Sequence, residues 1–196
     1  MKSVLVAYGT TEGQTRAIAQ FIANALQERG VKVELLDSAE ARAAQVQPIY
    51  SAAILCGSLH RQRYQATLVR FVKDNAAWLS GIPAAFVAVS LTAVLVDERS
   101  RHDLQAIAEA FYRDTGWTPA ITHHAAGALR YTQYGYIKRQ VMRLIARRQG
   151  GDTDTTRDHQ YTDWDDLTRF VEEFLAATSL QEGGRPSTPQ AMPAAR

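Results

Sequence analysis

The stretch Val4-Leu5-Val6-Ala7-Tyr8-Gly9-Thr10-Thr11-Glu12-Gly13-Gln14-Thr15 decides how this chain is read. An apolar run of strand length passes into a loop of Thr, Gly and Gln. A helical pattern starts at once afterwards, with Ile18, Ile22, Ala25 and Leu26 on one face and Gly30 closing it. A strand, a polar loop and a helix N-terminus in succession make an anion site, because the loop N–H groups and the positive end of the helix dipole point at one place. Thr10, Thr11 and Thr15 add hydroxyls, and Gly13 allows a tight turn. The loop lacks the lysine of a nucleoside triphosphatase P-loop and the three glycines of the dinucleotide fingerprint. A phosphate held by hydroxyls and amides without a cation suits a monophosphate, such as the tail of FMN. A Thr-rich strand–helix turn with no ligand satisfies the same letters.

The chain has 196 residues, which fits one domain with a full core, or one domain with appendages. A single cysteine, Cys56, excludes a disulfide framework and a thiolate metal cluster. Polar and charged residues return by Glu12, unlike a secretory leader, and no run of about 18 apolar residues offers a membrane span. The expected setting is cytoplasmic. The net charge of +2 hides an asymmetry: Gly116 to Gly151 holds Arg130, Lys138, Arg139, Arg143, Arg147 and Arg148 and no acid, so this +6 segment leaves −4 for the rest.

Beyond Gly30, Val31 to Leu36 alternates like a half-exposed strand, and residues 38–48 suit a short helix or loop. Ala52 to Gly57 is a continuous apolar run, as a central parallel strand requires, and it ends in Ser58-Leu59-His60-Arg61-Gln62-Arg63-Tyr64. A helix follows with Leu68, Phe71, Val72 and Leu79 inward. Ala84 to Ser90 is the fourth strand. Ser100 and Asp103 predict a capping box for a helix burying Leu104, Ile107, Ala108 and Phe111, and residues 120–126 read as a fifth strand. A second capping box at Thr162-Asp163-Trp164-Asp165 opens a last helix burying Leu167, Phe170, Val171, Phe174 and Leu175. The domain is expected to span residues 1–178, with an insert at 127–160 interrupting or following strand 5, and 179–196 as a disordered tail.

Five strands alternating with helices predict an α/β fold: an open, doubly wound parallel sheet with helices on both faces. In such sheets the ligand lies beyond the C-terminal strand ends, where strand order reverses; flavodoxin with FMN is the standard illustration. With order 2-1-3-4-5, the loops 9–15 and 58–64 flank that crevice, with Ser90, Leu91 and Thr92 beside them. Ser58, Leu59 and His60 therefore join Thr10, Thr11, Glu12, Gly13, Gln14 and Thr15 as candidate cofactor contacts.

At this point the residues resemble a known family. The chain up to about residue 178 resembles the flavodoxin-like, quinone-linked protoporphyrinogen dehydrogenases of bacterial haem synthesis. Thr10 to Thr15 is similar to their S-T-R-D-G-Q-T. Gly127-Ala128-Leu129-Arg130-Tyr131 matches G-A-L-R-Y. Gly150-Gly151-Asp152-Thr153-Asp154-Thr155, followed by Tyr161-Thr162-Asp163-Trp164, matches G-G-x-T-D-T and Y-T-D-W at the same spacing. The first loop is shared by flavodoxins at large, and the last two motifs with the insert between them set this family apart. The resemblance implies FMN as cofactor and adds Gly127, Ala128, Tyr131, Asp154 and Thr155 to its contacts. It implies oxidation of protoporphyrinogen IX to protoporphyrin IX, with electrons passed to menaquinone or ubiquinone. No side chain stands out as an essential acid or base. Two departures fall where the flavin ring should rest. The family's S-I-R-Y-G-x-Y is here Ser58 to Tyr64 with Gln62 for the glycine, and its Asn-Leu pair is Ser90-Leu91.

Other residues have plainer readings. Cys56 ends a buried strand and reads as core. His123 and His124 alternate on strand 5, one toward the helices and one toward the ring, with packing as the first expectation. His60 is the better candidate to touch flavin or substrate, and Trp164 reads as core. Asp154 and Thr155 fit a pocket edge or an Asx turn. Within the insert, residues of about 136–149 form a basic amphipathic helix, with Ile137, Val141, Leu144 and Ile145 on one face and Lys138, Arg139, Arg143 and Arg147 around the rest. It suits a solvated cover on the sheet edge, or a surface for an anionic membrane or substrate, which would place the protein peripherally on the inner face of the cell membrane. No aromatic-interleaved groove supports nucleic-acid binding. The sequence is compatible with a homo-oligomer. An electron carrier of flavodoxin type, or an FMN-dependent quinone reductase, is the alternative function. A carrier usually presents acid rather than base around its flavin.

Overall fold

A computed structural model describes residues 3–11, 13–90, 93, 98–129, 159–160 and 162–178. Strand β1 (Ser3–Gly9) leads into helix α1 (Gln14–Glu28), then β2 (Lys32–Asp37). A turn of 3-10 helix, Ala41–Gln45, fills the short connection expected at 38–48. Then come β3 (Ala52–Ser58), α2 (Ala66–Leu79), β4 (Ala84–Ser90), α3 (Glu98–Thr115) and β5 (Ile121–Ala126). Two-residue strands β6 (Ala128–Leu129) and β7 (His159–Gln160) precede α4 (Trp164–Thr178).

The five long strands form one parallel sheet in the order β2-β1-β3-β4-β5, the arrangement expected from the alternating pattern. The order reverses between β1 and β3. Both faces are buried, so the central strands read as continuous apolar runs. α1 and α4 cover one face, over Val6, Ile54 and Val87; α2 and α3 cover the other, over Leu5, Leu55 and Phe86. The inward residues predicted for α1, α2 and α4 are all buried. Cys56 is fully buried, and burial pushes its thiol pKa well above the ordinary value, which suppresses the nucleophilic thiolate.

Two capping assignments shift. α3 is already helical at Glu98, so Ser100 to Asp103 lies inside the helix rather than at its cap. At α4 the cap is Asp163, whose Oδ1 accepts the Asp166 N–H at 2.9 Å. Thr162 is engaged elsewhere, as described below. The fifth strand begins at Ile121, one residue later than expected. The insert follows β5 rather than interrupting it. Ala128 pairs with Gln160 and Leu129 with His159 in an antiparallel ribbon that closes its base. The predicted basic helix at 136–149 and the tail at 179–196 lie outside the described residues.

At the reversal point Gly9 of β1 pairs with Gly57 of β3. A Cβ on Gly57 would lie 2.8 Å from Tyr64 Cδ1 and 3.0 Å from both Leu68 Cδ2 and Phe86 Cζ. A Cβ on Gly9 would lie 2.9 Å from Leu68 Cβ. The start of α2 is thus seated directly on the glycines. Gly57→Ala is expected to destabilise the fold by about 1–3 kcal/mol through overpacking, read as a lower midpoint in denaturant unfolding at unchanged slope.

Candidate functional site

The C-terminal edge of the sheet gathers the loops after β1, β3, β4 and β5. In the first, Gly13 adopts a left-handed φ of 91° and caps α1. Its N–H donates to Thr10 Oγ1 at 2.9 Å, which closes the turn on itself. Thr15 is only 1% exposed, in the first turn of α1, and that turn carries no acid. Thr11 is exposed, and its Oγ1 accepts from Gln65 Nε2 at 3.0 Å.

Two glutamine amides brace this loop from opposite sides. Gln65 donates to Thr11 and accepts the Ser58 N–H on its Oε1 at 3.1 Å, tying the β1 loop to the end of β3. Gln14 Nε2 donates to Thr162 Oγ1 at 2.8 Å, and that hydroxyl donates to the Ala126 carbonyl at 2.9 Å. Gln14, expected as a cofactor contact, is therefore turned toward α4 and the root of the insert. Gln65 was not legible as a site residue. The available cue was a polar residue standing at the start of α2, three places before its first buried position, Leu68.

The other loops interlock. The Leu59 N–H donates to the Val89 carbonyl at 2.7 Å, and the Gly127 N–H to the Ser90 carbonyl at 3.0 Å. Buried Ser90 uses its Oγ to accept the Ala93 N–H at 3.1 Å. His60 and Arg63 exchange backbone hydrogen bonds at 2.9 and 3.0 Å around Arg61 and Gln62, whose φ values are 48° and 62°. Two successive positive φ values match the type I′ hairpin turn, normally built from Asn and Gly. Holding non-glycine residues there costs roughly 1–2 kcal/mol apiece. Gln62 thus occupies a left-handed position where the family resemblance has glycine.

Of the predicted site residues, Thr10, Thr11, Gly13, Gln14, Thr15, Ser58, Leu59, His60, Ser90, Gly127 and Ala128 are brought to one edge of the sheet. Glu12, Leu91, Thr92, Tyr131, Asp154 and Thr155 lie outside the described residues. A left-handed glycine and an acid-free helix start suit a phosphate group. Among the described residues, no group of three or more His, Cys, Asp or Glu could hold a metal ion.

The sequence matches the model of the family described as "Flavodoxin domain" over residues 5–156. It is 31% identical over 174 residues to the protoporphyrinogen IX dehydrogenase (quinone) of Escherichia coli K12, covering 89% of this chain and 95% of that protein. A Leishmania major protein of the same name is 31% identical, over 88% of this chain and 74% of its own length. The chain belongs to this family. In fold, oxidised flavodoxin 2 from Bacillus cereus superposes with a TM-score of 0.56 at 17% identity, covering 89% of this chain and 99% of that one. The Streptococcus pneumonia TIGR4 flavodoxin follows at 0.53 and 16%, covering 89% and 98%.

The histidines of β5 do not serve the crevice. His123 packs on Phe170, with ring centroids 4.9 Å apart, and its Nε2 lies 3.2 Å from Asp166 Oδ2 without hydrogen-bond alignment. His124, expected to face the ring if His123 did not, turns to α3, with Nε2 3.5 Å from Gln105 Oε1. Burial lowers the pKa of both below the ordinary 6.5, and the Asp166 carboxylate opposes this only in part at His123. The unfolded chain then binds these protons more readily than the fold. Stability contributed by the neutral rings is present at pH 7 and is lost as pH falls through about 6.5 toward the folded pKa values. NMR titration is expected to show both rings ionising below 6.5, with the unfolding free energy falling from pH 7 to pH 5.

Proposed function

We propose that this chain oxidises protoporphyrinogen IX to protoporphyrin IX and passes the electrons to a quinone, with FMN as the bound cofactor. The observation that carries this reading is the 31% identity running through 95% of the Escherichia coli protoporphyrinogen IX dehydrogenase (quinone). The left-handed Gly13 and the acid-free start of α1 support FMN, whose phosphate they would hold. Loops 58–60 and 90–92, with Gly127, Ala128, Tyr131, Asp154 and Thr155, would wall the ring. Bound there, FMN supplies the two-electron acceptor for the substrate and the donor for the quinone.

The protein's own share is position and polarity. Gln14 and Gln65 fix the phosphate loop against β3 and β5. The strained turn at Arg61 and Gln62 sets one wall. Overall, three successive two-electron oxidations of the porphyrinogen are balanced by reduction of quinone to quinol. The purified protein is expected to show flavin absorbance, or to gain it on adding FMN. With protoporphyrinogen IX and quinone it is expected to produce porphyrin fluorescence faster than an autoxidation control. A rate equal to the control overturns the reading.

The basic helix expected at 136–149 gives the same reading a place in the cell, as a peripheral dock on the inner, anionic face of the membrane that holds the quinone. Each basic residue near such a surface contributes about 1 kcal/mol. Reversing the charges of Lys138, Arg139, Arg143 and Arg147 is expected to abolish sedimentation with anionic vesicles at low salt, while FMN stays bound. Turnover with a short soluble quinone is expected to outlast turnover with a membrane-embedded one.

A further inference from the structure

One buried hydroxyl holds two parts of the molecule together. Thr162 is 9% exposed and stands directly before Asp163, the cap of α4. Its Oγ1 donates to the Ala126 carbonyl at 2.9 Å and accepts from Gln14 Nε2 at 2.8 Å. A hydroxyl has one proton, and here it is spent on the end of β5. The Gln14 amide therefore engages the oxygen lone pairs, and the chain of donors runs one way, from Gln14 to Thr162 to Ala126.

Each end of that chain has its own task. Gln14 is the first residue of α1 and follows the left-handed Gly13, whose carbonyl takes the Ala17 N–H at 3.2 Å. The first N–H groups of a helix have no acceptor inside it and point out of its start. Their aim depends on how the chain leaves Gly13, and the half-buried side chain of Gln14 is tethered just there. At the other end, Ala126 closes β5. Its contact with Thr162 is the first rung of a pairing that Ala128 with Gln160 and Leu129 with His159 continue. One hydroxyl thus fastens the root of the insert and steadies the start of α1. Gln65 braces the same loop from β3, away from that root.

We propose that Gln14 and Thr162 are positioning residues that couple binding of the cofactor phosphate to the strand pairing at the root of the insert. The proposal rests on the reading of FMN as cofactor. While the root is paired, Thr162 holds Gln14 and the first N–H groups of α1 stay aimed at the phosphate. Such coupling is reciprocal: whatever affinity the paired root lends the phosphate, the phosphate returns as protection of the root. It belongs to the phosphate, so riboflavin, which lacks one, does not share it.

The full-length chain, freed of flavin, is titrated with FMN and with riboflavin, and hydrogen exchange of the β6 and β7 amides is followed with and without each. Thr162→Val removes the hydroxyl and Gln14→Met the amide, both at nearly constant volume. Each is expected to weaken FMN about three- to tenfold, the range of one lost hydrogen bond, and to leave riboflavin as in the parent. The double variant is expected to be no weaker than Thr162→Val alone, because both changes remove one contact. Thr162→Ser keeps the hydroxyl and is expected to restore parental FMN affinity. Saturating FMN is expected to slow exchange at β6 and β7 in the parent, riboflavin is not, and Gln14→Met is expected to lose the effect. Gln14→Met leaves the bond from Thr162 to Ala126 in place, so it decides the matter even where Thr162→Val fails to fold. FMN affinity unchanged in Gln14→Met, equal losses for FMN and riboflavin, or exchange in the parent indifferent to FMN each overturns the proposal. A parent that shows the coupling but fails to oxidise protoporphyrinogen upholds it and overturns the reaction. A parent that turns over while Gln14→Met holds FMN as tightly overturns the coupling alone. A parent that binds neither flavin overturns the FMN reading and the coupling with it.

Discussion

The loop between β1 and α1 depends on being held from two sides. Gln65 ties Thr11 to the backbone of Ser58, and Gln14 ties the start of α1 to Thr162 and, through it, to Ala126. Each amide spans two loops that meet nowhere else in the sequence. The pairing is achievable because Gly9 and Gly57 sit side by side at the ends of β1 and β3 and let the start of α2 settle onto the sheet. A side chain on Gly57 would press on Tyr64 and Leu68, one on Gly9 would press on Leu68 and on Gln65 itself, and either would cost Gln65 its reach. The glycine pair, the two amides and the loop form one dependent chain of contacts.

That dependence explains what could and could not be read in the letters. The strands and the inward faces of α1, α2 and α4 follow from runs and periodicity, which depend only on neighbouring residues. The left-handed turn at Gly13 follows from a loop that must reverse. Thr162 did not behave as its local pattern suggests. A Thr-Asp pair before a helix offers two candidate caps, and Asp163 took the role because Gln14, 148 positions away, claims the threonine hydroxyl. Ser100 misled in the same way, since Glu98 is already helical. Gln65 was invisible because its partners, Thr11 and Ser58, are brought to it only by the parallel crossover. His124 was misplaced because alternation says which face a residue takes, not which helix waits there.

The turn from His60 to Arg63 departs from local preference more sharply than any other described segment. Arg61 and Gln62 are the only described non-glycine residues at positive φ. Such strain persists where surrounding contacts over-determine the backbone. Here Tyr64, pinned against Phe86 and Phe111, supplies that anchorage just downstream. The fold accepts the cost in the loop that follows β3, at the sheet edge where the strand order reverses.

The short ribbon of Ala128–Leu129 with His159–Gln160 has an evolutionary reading. It brings the two ends of the intervening segment together beside Ala126 and Thr162, so that the sheet meets a closed gate whatever lies beyond. Once the gate is shut, doubling the length of the excursion costs only about 0.6 kcal/mol of closure entropy. The domain can thus inherit, trade or lose that segment with little penalty to its own stability. Insertions or deletions within that excursion are then expected to leave the strand pairing at its root, and the sheet behind it, as they are.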